Sequence, residues 1–143
     1  GVSWSLPAAL CAKILDPTRP AIGICSDGGF AMQMHVLLTA VQYGANPVYV
    51  VMNNSRRGMT AEGMGNQSHG NDFPDTDYAA IARACGAWAE RIENPADIGD
   101  ALRAGLAQDK PAVIDVIIDR SESMRQAIYS PLAIEAARGM RPE

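Results

Sequence analysis

Residues 21–29 read Ala-Ile-Gly-Ile-Cys-Ser-Asp-Gly-Gly, and residues 47–54 read Pro-Val-Tyr-Val-Val-Met-Asn-Asn. Each stretch begins as a short apolar run, which is typical of a strand buried on both faces of a parallel sheet. Each then ends in polar residues that favour turns. Between them, the pattern of residues 30–43, closed by Gly44, predicts a helix. A strand, a helix and a second strand in this order predict one βαβ unit.

The same alternation of strands and helices continues along the chain. Further helices are predicted over residues 5–15, about 75–85 and about 95–107. The two strands described above are predicted over residues 21–25 and 47–52, and two more over residues 88–92 and 111–118. Apolar strands that alternate with amphipathic helices predict an α/β domain of three layers, α/β/α, with a mostly parallel sheet.

Two segments depart from this pattern. Residues 55–74 are rich in Gly, Met, Asn and Ser and have little periodicity, so they predict a long loop of a length usually associated with function. After residue 119 the chain carries only a weak helical pattern, over residues 132–138. We therefore divide the chain into a folded domain over residues 1–119 and a C-terminal tail over residues 120–143.

Composition excludes several classes of protein. The chain has 143 residues, of which 48% are hydrophobic and 20% charged, as expected for one folded domain. Its apolar runs are well short of the roughly 20 residues that a membrane-crossing helix needs. The net charge of −4, without a run of Lys or Arg, argues against nucleic acid as a partner. Three cysteines without a CxxC pair favour reduced thiols, a cytoplasmic protein and no zinc site.

Polar side chains follow the two strands on either side of the predicted helix. In open parallel sheets ligands bind beyond the carboxyl ends of the strands. If the two strands are neighbours, Asp27 and Asn54 face one crevice, and their carboxylate and amide oxygens are ligands that Mg²⁺ prefers. The helix after Gly28 and Gly29 directs its N–H groups toward an anion. The arrangement predicts a site for Mg²⁺ and a diphosphate, and the chain has neither a GxxxxGK[ST] nor a GxGxxG motif.

The combined motif resembles that of thiamine-diphosphate-dependent enzymes. Asp-Gly-Gly is followed by a helix, a strand and Asn-Asn, with Asp27 and Asn54 27 positions apart. Leu-Pro-Ala-Ala at residues 6–9 and Thr-Ala-Val-Gln-Tyr-Gly at residues 39–44 strengthen the resemblance. Over residues 1–119 the chain is similar to the C-terminal, diphosphate-binding domain of the acetolactate synthase, pyruvate oxidase and 2-keto acid decarboxylase group.

The resemblance implies a set of cofactor-binding residues. Mg²⁺ would be held by Asp27, by the side chain of Asn54 and by the backbone carbonyl of Arg56. The diphosphate would be held by the backbone N–H groups of Gly28 and Gly29 and of the helix that follows. Thiamine diphosphate and Mg²⁺ are therefore the expected cofactors.

Two further positions matter to this expectation. Val2 stands where the family has the bulky apolar residue that holds the cofactor in its bent form. Ser26 stands where the family usually has Gly, a change that fits if the backbone there does not need a positive φ. A second departure is His35-Val36, which replaces the Gln-Glu pair common in this helix and weakens assignment to the best-known members.

The activity implied by the resemblance is decarboxylation of a 2-keto acid, transfer of the resulting acyl or aldehyde unit, or both. The catalytic Glu is expected on a pyrimidine-binding domain that this chain does not contain, so the resemblance implies a homodimer, a homotetramer or a complex with another subunit. Family members also carry a strand and a helix before the position of Gly1, so the N-terminal part of the domain is expected to be missing. Binding of FAD stays open, because its site would belong to another domain.

Three alternatives remain at this stage. A decarboxylase, a carboligase and an oxidase share all of these motifs. A catalytically inactive regulatory or structural subunit with the same fold is a second alternative, against which the intact Asp27 and Asn54 argue. A flavodoxin-like nucleotide- or phosphate-binding domain is a third, because it would also place an anion at the turn of Asp27.

Overall fold

The computed structural model describes residues 2–66 and 69–122, so the helical pattern predicted over residues 132–138 lies outside the described residues. In chain order the elements are α1 (Ser5–Leu15), β1 (Ile22–Ser26), α2 (Asp27–Gln33), α3 (Val36–Gln42), β2 (Val48–Asn53), α4 (Gly58–Gly63), α5 (Tyr78–Ala84), β3 (Trp88–Ile92), a 3₁₀ turn (Pro95–Asp97), α6 (Ile98–Leu106) and β4 (Ala112–Ile117). Within these residues, every helix is too short or too polar to cross a lipid bilayer.

The four described strands form one parallel sheet in the order β1-β2-β4-β3. Ile22 pairs with Val48, Val48 pairs with Ala112, and Trp88 pairs with Ala112. Because every pair is parallel, the carboxyl ends of all four strands lie at one edge of the sheet. The predicted parallel sheet is confirmed, and β1 and β2 are neighbours.

Helices cover both faces of the sheet. On one face, residues of α1, α2, α3 and α5 pack in a single core with Tyr49, Val51 and Val113. On the other face, α6 packs over β2, β3 and β4 through Ile98 and Leu102. This is the predicted three-layer α/β/α arrangement.

Gly23 allows α1 to lie close to β1. A Cβ atom at this position would stand 2.8 Å from the backbone carbonyl oxygen of Ser5 and 3.2 Å from the ring of Tyr49. The hydroxyl of Ser5 in turn donates to the carbonyl oxygen of Ile24, at 2.7 Å. The close contact fixes the start of α1, and with it the segment before α1, relative to the carboxyl end of β1.

The prediction of one helix over residues 30–43 is wrong. The chain forms α2 and α3, which are separated by a turn at Met34 and His35. The turn keeps right-handed helical backbone angles, but the N–H of Leu37 donates to the carbonyl three residues back, so the helical hydrogen-bond pattern tightens and is interrupted there. Helix α2 also starts earlier than predicted, at Asp27, because Ser26 caps it.

Candidate functional site

Asp27 and Asn54 lie at the carboxyl edge of the sheet, after two neighbouring strands. Asp27 is the first residue of α2 and is fully buried, with no exposed surface. Asn54 directly follows β2. The parallel register pairs Ser26 with Met52, so both strands end at nearly the same level. The condition under which the two side chains face one crevice is therefore met.

The two side chains converge on one backbone group. The N–H of Arg56 donates to the Oδ2 atom of Asp27 at 3.1 Å and to the Oδ1 atom of Asn54 at 3.1 Å. The second carboxylate oxygen of Asp27 accepts from the N–H of Gly28 at 2.7 Å. A buried carboxylate oxygen and an amide oxygen thus share a single N–H donor and lie close together, and both are oxygen types that Mg²⁺ accepts as ligands.

The backbone of Arg56 faces the same place. Arg56 forms an isolated antiparallel bridge with Asp72, and the residues beside it bond to Asn71 and Phe73, both at 2.8 Å. The hydrogen bonds of this bridge are made by the flanking residues and not by Arg56 and Asp72 themselves. In such a pair the N–H and C=O of the bridged residue point away from the partner strand. Because its N–H reaches Asp27, the carbonyl of Arg56 is directed to the same side. The side chain of Arg56 is bound elsewhere, with Nε 3.0 Å from a carboxylate oxygen of Asp72.

The first turn of α2 is enclosed by two segments. A Cβ atom at Gly28 would stand 3.5 Å from the ring of Phe73. A Cβ atom at Gly29 would stand 3.5 Å from the side chain of Val2 and 3.3 Å from the hydroxyl of Ser26. Neither glycine has a positive φ, so both provide space at the helix start and no unusual backbone conformation. Val2 is 72% exposed beside this turn.

Ser26 has a role of its own. Its φ of −79° is ordinary extended backbone, so this position does not need glycine. Its hydroxyl accepts from the N–H of Gly29 at 3.1 Å, while the N–H of Gly28 donates to Asp27. Both N–H groups that the sequence predicts as diphosphate donors therefore bond to side chains in this structure.

A buried polar network lies beneath the loop that follows β2. The amide nitrogen of Asn53 donates to the carboxylate of Asp115 at 2.9 Å and to the carbonyl of Thr76 at 3.1 Å. Its amide oxygen accepts from the N–H of Ser55, also at 3.1 Å. The second carboxylate oxygen of Asp115 accepts from the N–H of Tyr78 at 3.1 Å. The network joins β2, β4 and the start of α5 at the edge where Asn54 lies.

Burial raises the pKa of Asp115 above its ordinary value, although the hydrogen bonds from Asn53 and Tyr78 and the nearby Arg91 act in the opposite direction. Asp115 is fully buried, and the guanidinium of Arg91 lies 3.7 Å away. Asn53 and Asp115 support the site structurally and were not among the residues predicted from the sequence. A single acidic residue inside the apolar run 111–118 is the signal that identifies such a group.

Other reactive side chains near this edge are poor candidates for catalysis. Burial, with a smaller contribution from the charge of Asp27, raises the pKa of the Cys25 thiol to about 12, so this thiol is not a nucleophile at neutral pH. His35 and His69 are both exposed. Within the described residues, no group of three or more His, Cys, Asp or Glu side chains could hold a metal ion. A cation at this edge would therefore need amide or backbone oxygens besides Asp27.

Residues 2–116 match the family model described as the thiamine pyrophosphate enzyme, C-terminal TPP binding domain. The chain belongs to this family. Thiamine pyrophosphate (TPP) is thiamine diphosphate, so the family expected from the Asp-Gly-Gly and Asn-Asn motif is confirmed. The match rules out the alternative of a flavodoxin-like domain. The chain is a TPP-binding domain of the acetolactate synthase and decarboxylase type.

Several curated relatives resemble this TPP-binding domain. The protein YdaP of Bacillus subtilis is 37% identical over 116 residues, which cover 79% of this chain and 20% of that protein. An acetolactate synthase of Bacillus subtilis is 32% identical over 126 residues, covering 86% of this chain and 22% of that protein. A benzoylformate decarboxylase of Pseudomonas aeruginosa is 32% identical over 120 residues, which cover 81% of this chain and 23% of that protein. The chain spans about a fifth of the length of these relatives.

A solved structure shows the same fold. The thiamine diphosphate-dependent 4-hydroxybenzoylformate decarboxylase of Rhodococcus jostii RHA1 superposes with a TM-score of 0.76 at 28% sequence identity. The match covers 85% of this TPP-binding domain and 24% of that chain. The three-layer α/β/α fold is therefore shared with a TPP-dependent enzyme of known structure.

Proposed function

We propose that this domain binds the diphosphate of TPP through a Mg²⁺ ion held by Asp27, Asn54 and the carbonyl of Arg56. The observation that carries the proposal is the convergence of Asp27 and Asn54 on the N–H of Arg56 at 3.1 Å each. These donors are all hard oxygen atoms, and one of them is a buried carboxylate, which fits Mg²⁺ better than zinc or copper. The N–H groups of Gly28 and Gly29, on the first turn of α2, would give up their bonds to Asp27 and Ser26 and donate to the diphosphate oxygens.

The reaction that we propose is decarboxylation of a 2-keto acid, transfer of the resulting acyl or aldehyde unit, or both. The relatives include an acetolactate synthase and two decarboxylases, which supports this reaction class. When bound, TPP supplies a cationic ring that accepts the electrons released as CO₂ leaves. The residues of this chain would neutralise the diphosphate, fix the position of the cofactor and keep water away from the buried carboxylate of Asp27.

The domain would work as part of a larger assembly. Because the chain spans about a fifth of its relatives, we propose that a pyrimidine-binding domain completes the site and supplies the catalytic Glu, in a homodimer, a homotetramer or a complex with another subunit. We further propose residues 1–119 as the cofactor-binding unit and 120–143 as a tail, whose first residue, Arg120, contacts the loop that follows β2. Free thiols at Cys11, Cys25 and Cys85 support a cytoplasmic location.

Calorimetry of the intact protein with TPP tests the proposal through removal of the metal. We expect TPP to bind in the presence of Mg²⁺ and to lose at least about 100-fold in affinity in EDTA, because the metal links the diphosphate to Asp27 and Asn54. Thiamine, which lacks the diphosphate, is the matched control and should not respond to Mg²⁺. Equal TPP affinity with and without the metal would overturn the proposed site. Product analysis with pyruvate would then separate decarboxylation from carboligation.

Val2 is proposed to support the bent form of the cofactor, because it lies beside Gly29 at the start of α2. We expect Val2→Gly to lower kcat for pyruvate or benzoylformate about tenfold while the Kd for TPP changes little, because the side chain orients the cofactor and does not anchor it. Val2→Leu keeps an apolar side chain and should retain most of the turnover. A Val2→Gly variant with weaker TPP binding and normal kcat would contradict this role.

A further inference from the structure

The loop Asn54–Arg56 has an unusual backbone at its centre. Ser55 has a φ of +52°, in the left-handed region that residues other than glycine rarely adopt. Such a conformation costs free energy and persists only where the surrounding structure holds it in place. In this loop it turns the chain back, so that the N–H of Arg56 reaches Asp27 and the side chain of Asn54. Whatever holds Ser55 therefore also sets the geometry of the candidate metal ligands.

Two side chains hold the loop, one from the residue directly before it and one from a distant part of the sequence. The side-chain oxygen of Asn53 accepts a hydrogen bond from the N–H of Ser55 at 3.1 Å. Arg120 binds the carbonyl side: its Nε donates to the carbonyl oxygen of Asn54 at 3.0 Å, and its Nη2 donates to that of Ser55 at 3.1 Å. A planar guanidinium binds two successive carbonyls through two separate nitrogen atoms in a fixed geometry, whereas a lysine ammonium has a single nitrogen and no such fixed fork.

Arg120 reaches the loop from a separate part of the fold. It follows β4, more than 60 positions along the chain from Asn54. The residue is exposed and lines a cavity of about 340 Å³ together with Arg56, Gly58 and Glu62. Because the side chain lies at the wall of this cavity and outside both apolar cores, its removal should leave the fold intact.

We propose that Arg120 is a positioning residue for the Mg²⁺ site. Its paired hydrogen bonds to Asn54 and Ser55 hold the loop in the conformation that presents the Asn54 amide oxygen and the Arg56 carbonyl to the metal. The inference rests on the proposed function of Asp27, Asn54 and Arg56. It adds a residue that contacts neither the metal nor the cofactor and acts through the loop alone.

A Mg²⁺ titration of TPP binding to the intact protein tests this role. We expect Arg120→Ala to raise the half-saturating Mg²⁺ concentration about tenfold or more, as is typical when a group that orients a metal ligand is removed. TPP affinity should recover at saturating Mg²⁺, which a general loss of structure would not allow. The unfolding midpoint measured in EDTA should stay close to that of the wild type. Arg103→Ala, which removes an exposed arginine from α6, is the matched control.

Arg120→Lys separates geometry from charge. This variant keeps the positive charge but replaces the rigid two-nitrogen fork with one nitrogen on a flexible chain, so its half-saturating Mg²⁺ concentration should stay above the wild-type value. It also provides the same comparison if Arg120→Ala does not fold. A wild-type Mg²⁺ requirement in Arg120→Ala, or full recovery in Arg120→Lys, would overturn the inference while leaving the proposed function standing. Wild-type protein that binds TPP without Mg²⁺ would overturn both.

Discussion

Asp27→Asn is expected to raise the Kd for TPP in the presence of Mg²⁺ about 100-fold. Asp27 is the charged member of the proposed ligand set, and the other two are neutral oxygens. A hydrogen bond or ligand contact that involves a charged group contributes up to about 3 kcal/mol, which corresponds to about 100-fold in affinity. Asn would also turn its amide N–H₂ group toward either the N–H of Gly28 or the N–H of Arg56, both of which need an acceptor.

The measurement is calorimetry of TPP binding at saturating Mg²⁺, with wild type and variant side by side. Asp100→Asn is the matched control, because Asp100 is an exposed aspartate on α6, which packs on the opposite face of the sheet from α2. Asp27→Asn keeps the size of the side chain and one acceptor oxygen, so the domain should still fold. A variant with the wild-type Kd would show that Asp27 does not hold the metal.

Local sequence signals predicted most of the fold. The helix over residues 5–15 and the strand over residues 88–92 match α1 and β3 residue for residue. Both are bounded by strong turn signals: Asp16 and Pro17 follow α1, and Gly86 with a φ of +91° precedes β3. One error is the short helix α4 (Gly58–Gly63), which lies inside the segment 55–74 that was predicted as a loop. Two others occurred where a cap or a tightened turn decides the outcome. Ser26 moved the start of α2 to Asp27, and the 3₁₀-type turn at Met34 divided one predicted helix into two.

The candidate site was predictable only in part. Asp27 and Asn54 could be found because each directly follows a strand, and parallel strands end at one edge of the sheet. Their supports could not be found in this way. Asn53 bonds to Asp115, which lies 62 positions later in the sequence, and Arg120 bonds to Asn54, which lies 66 positions earlier. Both contacts depend on the pairing of β2 with β4. No local pattern encodes which strand lies next to β2, so these partners became visible only in the folded structure.

Removal of Asp115 is expected to cause the largest loss of stability. We expect Asp115→Ala to lower the free energy of unfolding by about 3 kcal/mol, because it leaves buried donors without an acceptor and removes one carboxylate partner of Arg91. The N–H of Tyr78 would lose its carboxylate at 3.1 Å, and Asn53 would keep the carbonyl of Thr76 but lose the carboxylate at 2.9 Å. Arg91 keeps Asp75, which limits the loss from the ion pair.

Urea denaturation followed by circular dichroism measures this effect. Glu90→Ala is the matched control, because Glu90 is an exposed acidic residue of the adjacent strand β3 and should change the unfolding free energy by less than about 0.5 kcal/mol. If Asp115→Ala does not fold, Asp115→Asn keeps the shape of the side chain but brings an N–H₂ group toward the donors of Asn53 or Tyr78, so it should also destabilise the domain. Equal unfolding free energies for the Asp115 and Glu90 variants would mean that the network beneath Asn54 does not stabilise the fold, and the loop would then depend on Arg120 for its conformation.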